Sequence, residues 1–158
     1  MDLNLKQNRE ALAKEIESKV EAAYQEFKDW PENVVEMRPA PGEWSSKEIL
    51  GHLIDSAQNN IRRFVLAQYQ ERPFVIYDQE KWVEAANYQN YPLTDLIDHW
   101  ILINKHLVII LKNIPEDYFE REVQTQEIHT IKWLAADYNK HLLHHLHQVL
   151  NLDAVSYP

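Results

Sequence analysis

The chain has 158 residues, a formal net charge of −9 and no cysteine, and its length predicts one domain spanning residues 1–158. The acidic balance disfavours nucleic acid and anionic membrane surfaces as partners, and the lack of cysteine excludes disulfides, thiolate ligands, iron–sulfur clusters and a cysteine nucleophile. Because the sequence has neither an apolar run of membrane-spanning length nor the apolar core of a secretory signal, we expect a cytoplasmic protein.

The first predicted helix runs from about Asn4 to Asp29. The chain contains only 2 glycines and long stretches of residues that favour helix over sheet. Apolar residues recur at helical spacing along this segment, namely Leu5, Leu12, Ile16, Val20, Ala23 and Phe27. Trp30-Pro31 ends the helix, because the residue before a proline avoids the helical region.

A second helix begins at the capping box Ser45-Ser46-Lys47-Glu48, in which the first serine and the glutamate satisfy each other's backbone donors. Its predicted core stripe is Ile49, Leu50, Leu53, Ala57, Ile61 and Phe64. A polar seam runs beside that stripe and consists of His52, Ser56, Asn59 and Arg63, with Asp55 one turn from His52. Such a seam is either a solvated flank or one wall of a pocket, and the solvated flank is favoured because polar residues are exposed by default.

The presence of Gly51 inside this helix needs an explanation, because a glycine within a helix lowers its stability by about 1 kcal/mol relative to alanine. Two reasons remain open, namely close packing by another element and room for a ligand beside His52.

The connection from Glu71 to Tyr91 is long for a helical domain and rich in aromatic residues. Asp78 could cap a short helix within it. The connection is interpreted as a crossover that covers one end of a bundle, as a lid or pocket wall, or as both.

A third helix follows Pro92, with Leu96, Trp100, Ile103, Leu107 and Ile110 facing inward. After a polar, β-leaning segment that ends at His129, Thr130 caps the last helix, whose buried face begins at Trp133 and Leu134. The tail after Leu152 is expected to be loosely held. These four main helices predict an all-α fold, a four-helix bundle with a long crossover between helices two and three.

Two histidines on the last helix, His141 and His145, are four residues apart and therefore point the same way. Leu142 stands where a zincin protease would need its glutamate, and no histidine has an acidic residue three positions before it, as a ferritin-like di-iron site requires. A mononuclear site with His52 as the third ligand remains. Three neutral imidazoles with an open position for water suit Zn²⁺ or Ni²⁺, and His144 and His147 lie outside this ligand set.

Several of these residues resemble the DinB/YfiT-like superfamily over about residues 40–150. The start of the family's second helix is similar to Gly42-Glu43-Trp44-Ser45 with the following His52-Leu53-Ile54-Asp55-Ser56, Asn59 and Arg63. The family's crossover is similar to Tyr77-Asp78 with Trp82, and its paired histidines on the last helix match His141 and His145. The resemblance implies a four-helix bundle that is often a homodimer, with one divalent cation, commonly nickel or zinc, on His52, His141 and His145. The sequence of this chain differs from that of some relatives at Leu142, where those relatives have a further histidine.

Three functions stay open for this site. The first is a metal-dependent hydrolase acting on a small molecule through metal-bound water, with Asp55 or Gln148 as candidates to orient a ligand or water. The second is a thiol-dependent S-transferase or isomerase that uses a low-molecular-weight thiol, with Asn59 and Arg63 binding the carboxylate of that cofactor or an anionic substrate. The third is a non-catalytic metal-binding dimer.

Overall fold

The structure, a computed structural model, describes residues 3–150 and residue 157, with side chains from residue 8 onward. In that part of the chain, six α-helices form: α1 (Leu3–Phe27), α2 (Glu32–Val35), α3 (Ser46–Leu66), α4 (Gln79–Ala86), α5 (Leu93–Asn113) and α6 (Ile131–Val149). Short 3₁₀ turns lie at Tyr88–Asn90 and Glu116–Tyr118, and two short strands are β1 (Glu122–Gln124) and β2 (Ile128–Thr130). The side chain of Leu5 and the tail after Leu152, apart from Tyr157, lie outside the described residues.

The four long helices form the predicted bundle. Helix α3 packs on α5 and α6, and α1 packs on the same two helices. The fully buried core draws on all four, with Ile16, Phe27, Leu50, Leu53, Phe64, Trp100, Leu107 and Leu142 among its members. Each large apolar side chain buried in this way contributes about 1.5–3 kcal/mol relative to its exposure. The prediction of a four-helix bundle is therefore confirmed.

The predicted core differs from the structure at several positions. Four predicted core residues are only partly buried against the core rather than within it, namely Leu12, Ile61, Ile103 and Ile110. Trp133 is 47% exposed, and its ring stacks on that of His129 with 3.6 Å between the ring centroids. Ile131, which is fully buried, begins the inward face of α6 instead.

The predicted helix starts hold in the structure. The Ser45 side chain accepts a hydrogen bond from the Glu48 backbone N–H at 3.1 Å, and the Ser45 N–H donates to Glu48 Oε1 at 3.1 Å. The Thr130 hydroxyl accepts from the Trp133 N–H at 3.0 Å at the start of α6. Such caps are worth about 1 kcal/mol each, and they fix where α3 and α6 begin.

The crossover between α3 and α5 contains the short helix α4, which the Asp78 side chain caps by accepting from the Lys81 N–H at 3.1 Å. Before α4 the chain is extended and pairs with β1, since the Val75 N–H donates to the Gln124 carbonyl at 2.9 Å. Strand β1 in turn pairs antiparallel with β2. The crossover thus both covers the bundle and forms a wall beside α3.

Gly51 lets the crossover pack closely on α3. A Cβ atom at this position would lie 2.1 Å from the Tyr88 ring, far inside van der Waals contact. The Tyr88 hydroxyl also donates a hydrogen bond to Asp55 Oδ1, one turn further along α3. Close packing is therefore the reason for the glycine. Within the described residues, no helix is both long enough and apolar enough to cross a membrane.

Candidate metal centre

His52 lies in the second turn of α3 and is 1% exposed. The capping box at Ser45 sets the start of the helix and therefore the direction in which this imidazole points. An ion pair between Arg38 and Glu48, with Nε and Oε1 2.9 Å apart, holds the same end of α3. The Trp44 ring covers one side of the imidazole, with ring centroids 4.9 Å apart. His52 is thus held in an enclosed position next to α6.

Helix α6 supplies the other two imidazoles and is held in place by buried polar contacts just before them. The Tyr138 hydroxyl donates a hydrogen bond to Asn104 Oδ1 on α5, and the Lys19 ammonium of α1 donates to Asn139 Oδ1 at 2.9 Å. These contacts fix the rotation of α6. His141 and His145, one turn apart, therefore face α3.

The three imidazoles converge on one point between α3 and α6. The Nε2 atoms of His52 and His141 are 3.0 Å apart, and one ligand atom from each of His52, His141 and His145 lies within 4.8 Å of the others. Nitrogen ligands at the usual distance from a tetrahedral zinc ion are about 3.3 Å apart. The structure thus brings together the three residues that the sequence singled out, in an arrangement that could hold a metal ion.

The electrostatics of the cluster also suit a cation. Burial lowers the pKa of His52 to about 3 and that of His141 to about 2, and the neighbouring His145 charge acts in the same direction. Burial lowers the pKa of His145 as well, against a hydrogen bond with Gln148 that raises it. The rings are therefore neutral at physiological pH and offer the lone pairs that a metal ion needs.

Gln148 contacts the cluster through His145. Its Oε1 atom lies 3.0 Å from His145 Nδ1, so an Nδ1–H tautomer donates to the amide and leaves Nε2 free to act as a ligand. The Nδ1 atoms of His52 and His141 are buried and have no hydrogen-bond partner among the described residues. Gln148 is therefore placed to orient the His145 ring.

Asp55, the other candidate for orienting a ligand or water, faces the crossover. Its carboxylate accepts a hydrogen bond from the Tyr88 hydroxyl, while its Oδ2 atom is buried without a partner among the described residues. Burial raises the pKa of Asp55 to about 6, and the Tyr88 hydrogen bond opposes that shift. Among the described residues, the side-chain hydrogen bond of the Asp55 carboxylate is to Tyr88 and not to any of the three histidines.

The polar seam of α3 is not a solvated flank. His52, Ser56 and Asn59 are 1%, 4% and 3% exposed, so the favoured interpretation of the seam is wrong. The Asn59 amide donates back to the Asp55 backbone carbonyl at 2.9 Å. Arg63, at the end of the seam, is half-buried, and its Nε and Nη2 atoms donate to the Val75 carbonyl at 3.3 and 3.2 Å. Of the two predicted substrate-binding residues, Arg63 lines a cavity, whereas Asn59 is buried within the seam.

That cavity has a volume of about 580 Å³ and lies between α3, the crossover, the β1–β2 hairpin and α6. Arg63, Tyr77, Asp137 and Tyr157 belong to its lining. The Tyr157 ring also contacts the His141 ring, with centroids 5.3 Å apart. The cavity therefore adjoins the histidine cluster and has the size of a small-molecule site.

Sequence reasoning gave no role to Trp44, Asp137 or Tyr157. Trp44 stands in the motif that precedes the capping box, and its position just before a helix start is the one signal that could have placed it beside His52. Asp137 precedes His141 by four residues, so the helical repeat puts both on one face of α6. Tyr157 follows α6, and no spacing rule predicts its contact with His141.

Comparison with known proteins gives a family and a fold. The protein-family model described as the DinB superfamily matches residues 15–149 of this chain. Among solved structures, the chain is similar to that of YfiT from Bacillus subtilis, described as a probable metal-dependent hydrolase with an unusual four-helix bundle topology. The two share 20% sequence identity and a TM-score of 0.77, over 96% of this chain and 87% of that chain. No curated protein compared with the chain matches it.

Proposed function

The chain belongs to the DinB superfamily, and from this premise we propose that it is a metal-dependent hydrolase. In this proposal His52, His141 and His145 hold one divalent cation, nickel or zinc. The observation that carries the proposal is the convergence of three neutral, mostly buried imidazoles from two helices on one point. Burying such a cluster is costly unless the nitrogen atoms find partners, and a cation supplies a common partner for all three.

When bound, a cation on such ligands supplies Lewis-acid activation of water or of a thiol. The residues of the chain do the rest. Gln148 fixes the tautomer of His145 through the contact of 3.0 Å, and Trp44 covers His52 and excludes water from that side. Arg63, in the wall of the adjoining cavity, binds an anionic group of the substrate. Hydrolysis is the preferred reaction class because the structurally similar YfiT is described as a probable metal-dependent hydrolase.

Thiol transfer is the second candidate, in which a low-molecular-weight thiol acts as cofactor of an S-transferase or isomerase. The observation that favours it is again Arg63, whose guanidinium makes no ion pair with a carboxylate in the described part of the chain. A carboxylate-bearing thiol could fill that position while its sulfur reaches the histidine cluster.

The metal site is tested by elemental analysis of protein purified without a histidine tag. We expect about one nickel or zinc ion per chain in the native protein, and a loss of most of it in His52→Ala, His141→Ala and His145→Ala, since a mononuclear site needs all three ligands. His106→Ala, which removes an exposed histidine of α5, is the matched control. We also expect His144→Ala and His147→Ala to change the metal content little.

Near-stoichiometric metal in all three ligand variants would refute the ligand assignment. Loss of metal in His144→Ala instead would place the ligand set at a neighbouring position of α6.

The reaction class is tested by incubating metal-loaded protein with panels of esters, amides and alkyl halides, with and without cysteine as a thiol. Turnover without thiol supports hydrolysis, and product formed only with thiol supports transfer. No turnover on any panel would leave a non-catalytic metal-binding protein.

A further inference from the structure

The lining of the cavity beside the histidine cluster includes a positively charged side chain, Arg63, that has no carboxylate partner in the described part of the chain. The Arg63 guanidinium is oriented by the Val75 carbonyl and by Asn60 Oδ1, which lies 3.5 Å from Nη1. Its Cζ atom lies 5.9 Å from the centroid of the Tyr77 ring. No carboxylate of the described residues forms an ion pair with Arg63. A half-buried cation held in this way favours an anionic partner from outside the chain.

Asp137, in another part of the lining of the same cavity, is a carboxylate without a basic partner in the described part of the chain. Asp137 of α6 is half-buried, and its Oδ2 atom accepts a hydrogen bond from the Tyr157 hydroxyl at 2.7 Å. No lysine or arginine of the described residues forms an ion pair with it. The other carboxylate of the lining belongs to Glu127, which is exposed and lies 4.0 Å from His129 Nε2. Asp137 is therefore the enclosed negative pole of the cavity.

Arg63 and Asp137, the positive and the negative pole, line the same cavity, although they form no ion pair with each other. The charge of Asp137 is near enough to raise the pKa of Arg63, against the lowering caused by burial. Asp137 lies one turn before His141 on α6, and Tyr157 contacts both residues. A ligand that bridges the poles therefore has the histidine cluster at its side.

We propose that this cavity binds a small zwitterionic ligand of the amino-acid or dipeptide type, with its carboxylate on Arg63 and its ammonium group on Asp137. The inference deepens the proposed function and rests on it, because the reacting group of the ligand would face the histidine cluster. The volume of about 580 Å³ accommodates a ligand of this size. The net charge of −9 also disfavours ligands with excess negative charge, and a zwitterion avoids that repulsion.

The test uses three probes, alanylalanine, N-acetyl-alanylalanine and alanylalanine amide, which are the zwitterion, the anion and the cation of one skeleton. Binding to the full chain is measured by calorimetry at low ionic strength. We expect the zwitterion to bind at least about 10-fold more tightly than either blocked form, since each loses one charge-assisted contact. Equal binding of the three probes, or no binding of any, would overturn the inference without the need for a variant.

Two variants then test which charged group of the ligand binds to Arg63 and which binds to Asp137. Arg63→Gln should abolish the preference for the free dipeptide over the amide, and Asp137→Asn should abolish the preference over the acetylated form. Arg62→Gln, at the exposed position next to Arg63, and Asp98→Asn, at an exposed position of α5, are the controls and should retain both preferences. A preference that survives Arg63→Gln or Asp137→Asn contradicts the assignment of that pole.

Repeating the titrations with His52→Ala separates this inference from the proposed function. If the charge preference persists while the metal is lost, the cavity and its poles are independent of the metal. If native protein binds metal but shows no charge preference, the zwitterion site fails while the metal site stands.

Discussion

At the scale of single residues, the candidate site depends on which nitrogen atom of each imidazole is free. His145 is the one histidine of the cluster whose Nδ1 atom has a side-chain partner in the described structure, Gln148. The spacing of His141 and His145 on one helix face predicted that these two rings point together. It could not predict the role of Gln148, because a partner three residues away may face either ring or solvent depending on side-chain rotamers.

Replacing Gln148 should weaken metal binding without unfolding the protein, because its side chain is exposed. Loss of an outer-shell partner of this kind costs about 10-fold in metal affinity. We therefore expect Gln148→Ala to bind zinc about 10-fold more weakly in competition with a chromophoric chelator, and Gln148→Glu, which keeps an acceptor, to restore the affinity. Lys140→Ala, at an exposed position of α6, is the control. Unchanged affinity in Gln148→Ala would show that the contact does not orient the ligand.

At the scale of elements, local signals predicted helix starts well and predicted contacts between distant segments poorly. The capping box at Ser45 and the caps at Asp78 and Thr130 were all correct, because each depends on residues within one helical turn. The burial of the α3 seam depends on the crossover and α6, which are far away in the sequence. Composition alone could not show which of them covers it.

The packing of the crossover on α3 can be tested by a double-mutant cycle at Gly51 and Tyr88. Gly51→Ala should lower the free energy of unfolding by about 1–3 kcal/mol, because the added methyl group overlaps the Tyr88 ring. In a Tyr88→Ala background the same change should be neutral or stabilising by up to about 1 kcal/mol, as expected for alanine in a helix. Urea unfolding in the presence of a chelator measures all four proteins. An equal loss in both backgrounds would exclude the contact with Tyr88 as the reason for the glycine.

At the scale of the whole molecule, the sequence predicted the bundle because helical periodicity repeats over four long segments, and each segment buries one face. The pairing of β1 and β2 with the crossover was not predicted, since these strands have only 3 residues each and carry little periodicity. The two poles of the cavity also come from separate helices, and they meet only through the packing of the complete fold.

If the chain binds a cation as proposed, removing it should destabilise the entire bundle, because the three candidate ligands join α3 to α6. At a free metal concentration of 100 times its Kd, binding adds about 2.7 kcal/mol, which corresponds to about 5–10 °C in Tm for a chain of this length. We expect calorimetric unfolding with zinc or nickel to show this increase over chelator-treated protein. His52→Ala should show no increase, whereas His106→Ala should respond as the native protein does. An equal increase in His52→Ala would mean that the cation binds elsewhere.

The separation of the ligands along the chain has a consequence for biosynthesis. His52 and His141 are 89 positions apart, and the second of them lies on the last helix of the bundle. During translation, the chain offers only His52 of these three imidazoles until α6 has been made. For the proposed metal-binding function, the site is therefore complete only after α6 has been synthesised and packed on α3, and a cation bound by all three rings is acquired after that step.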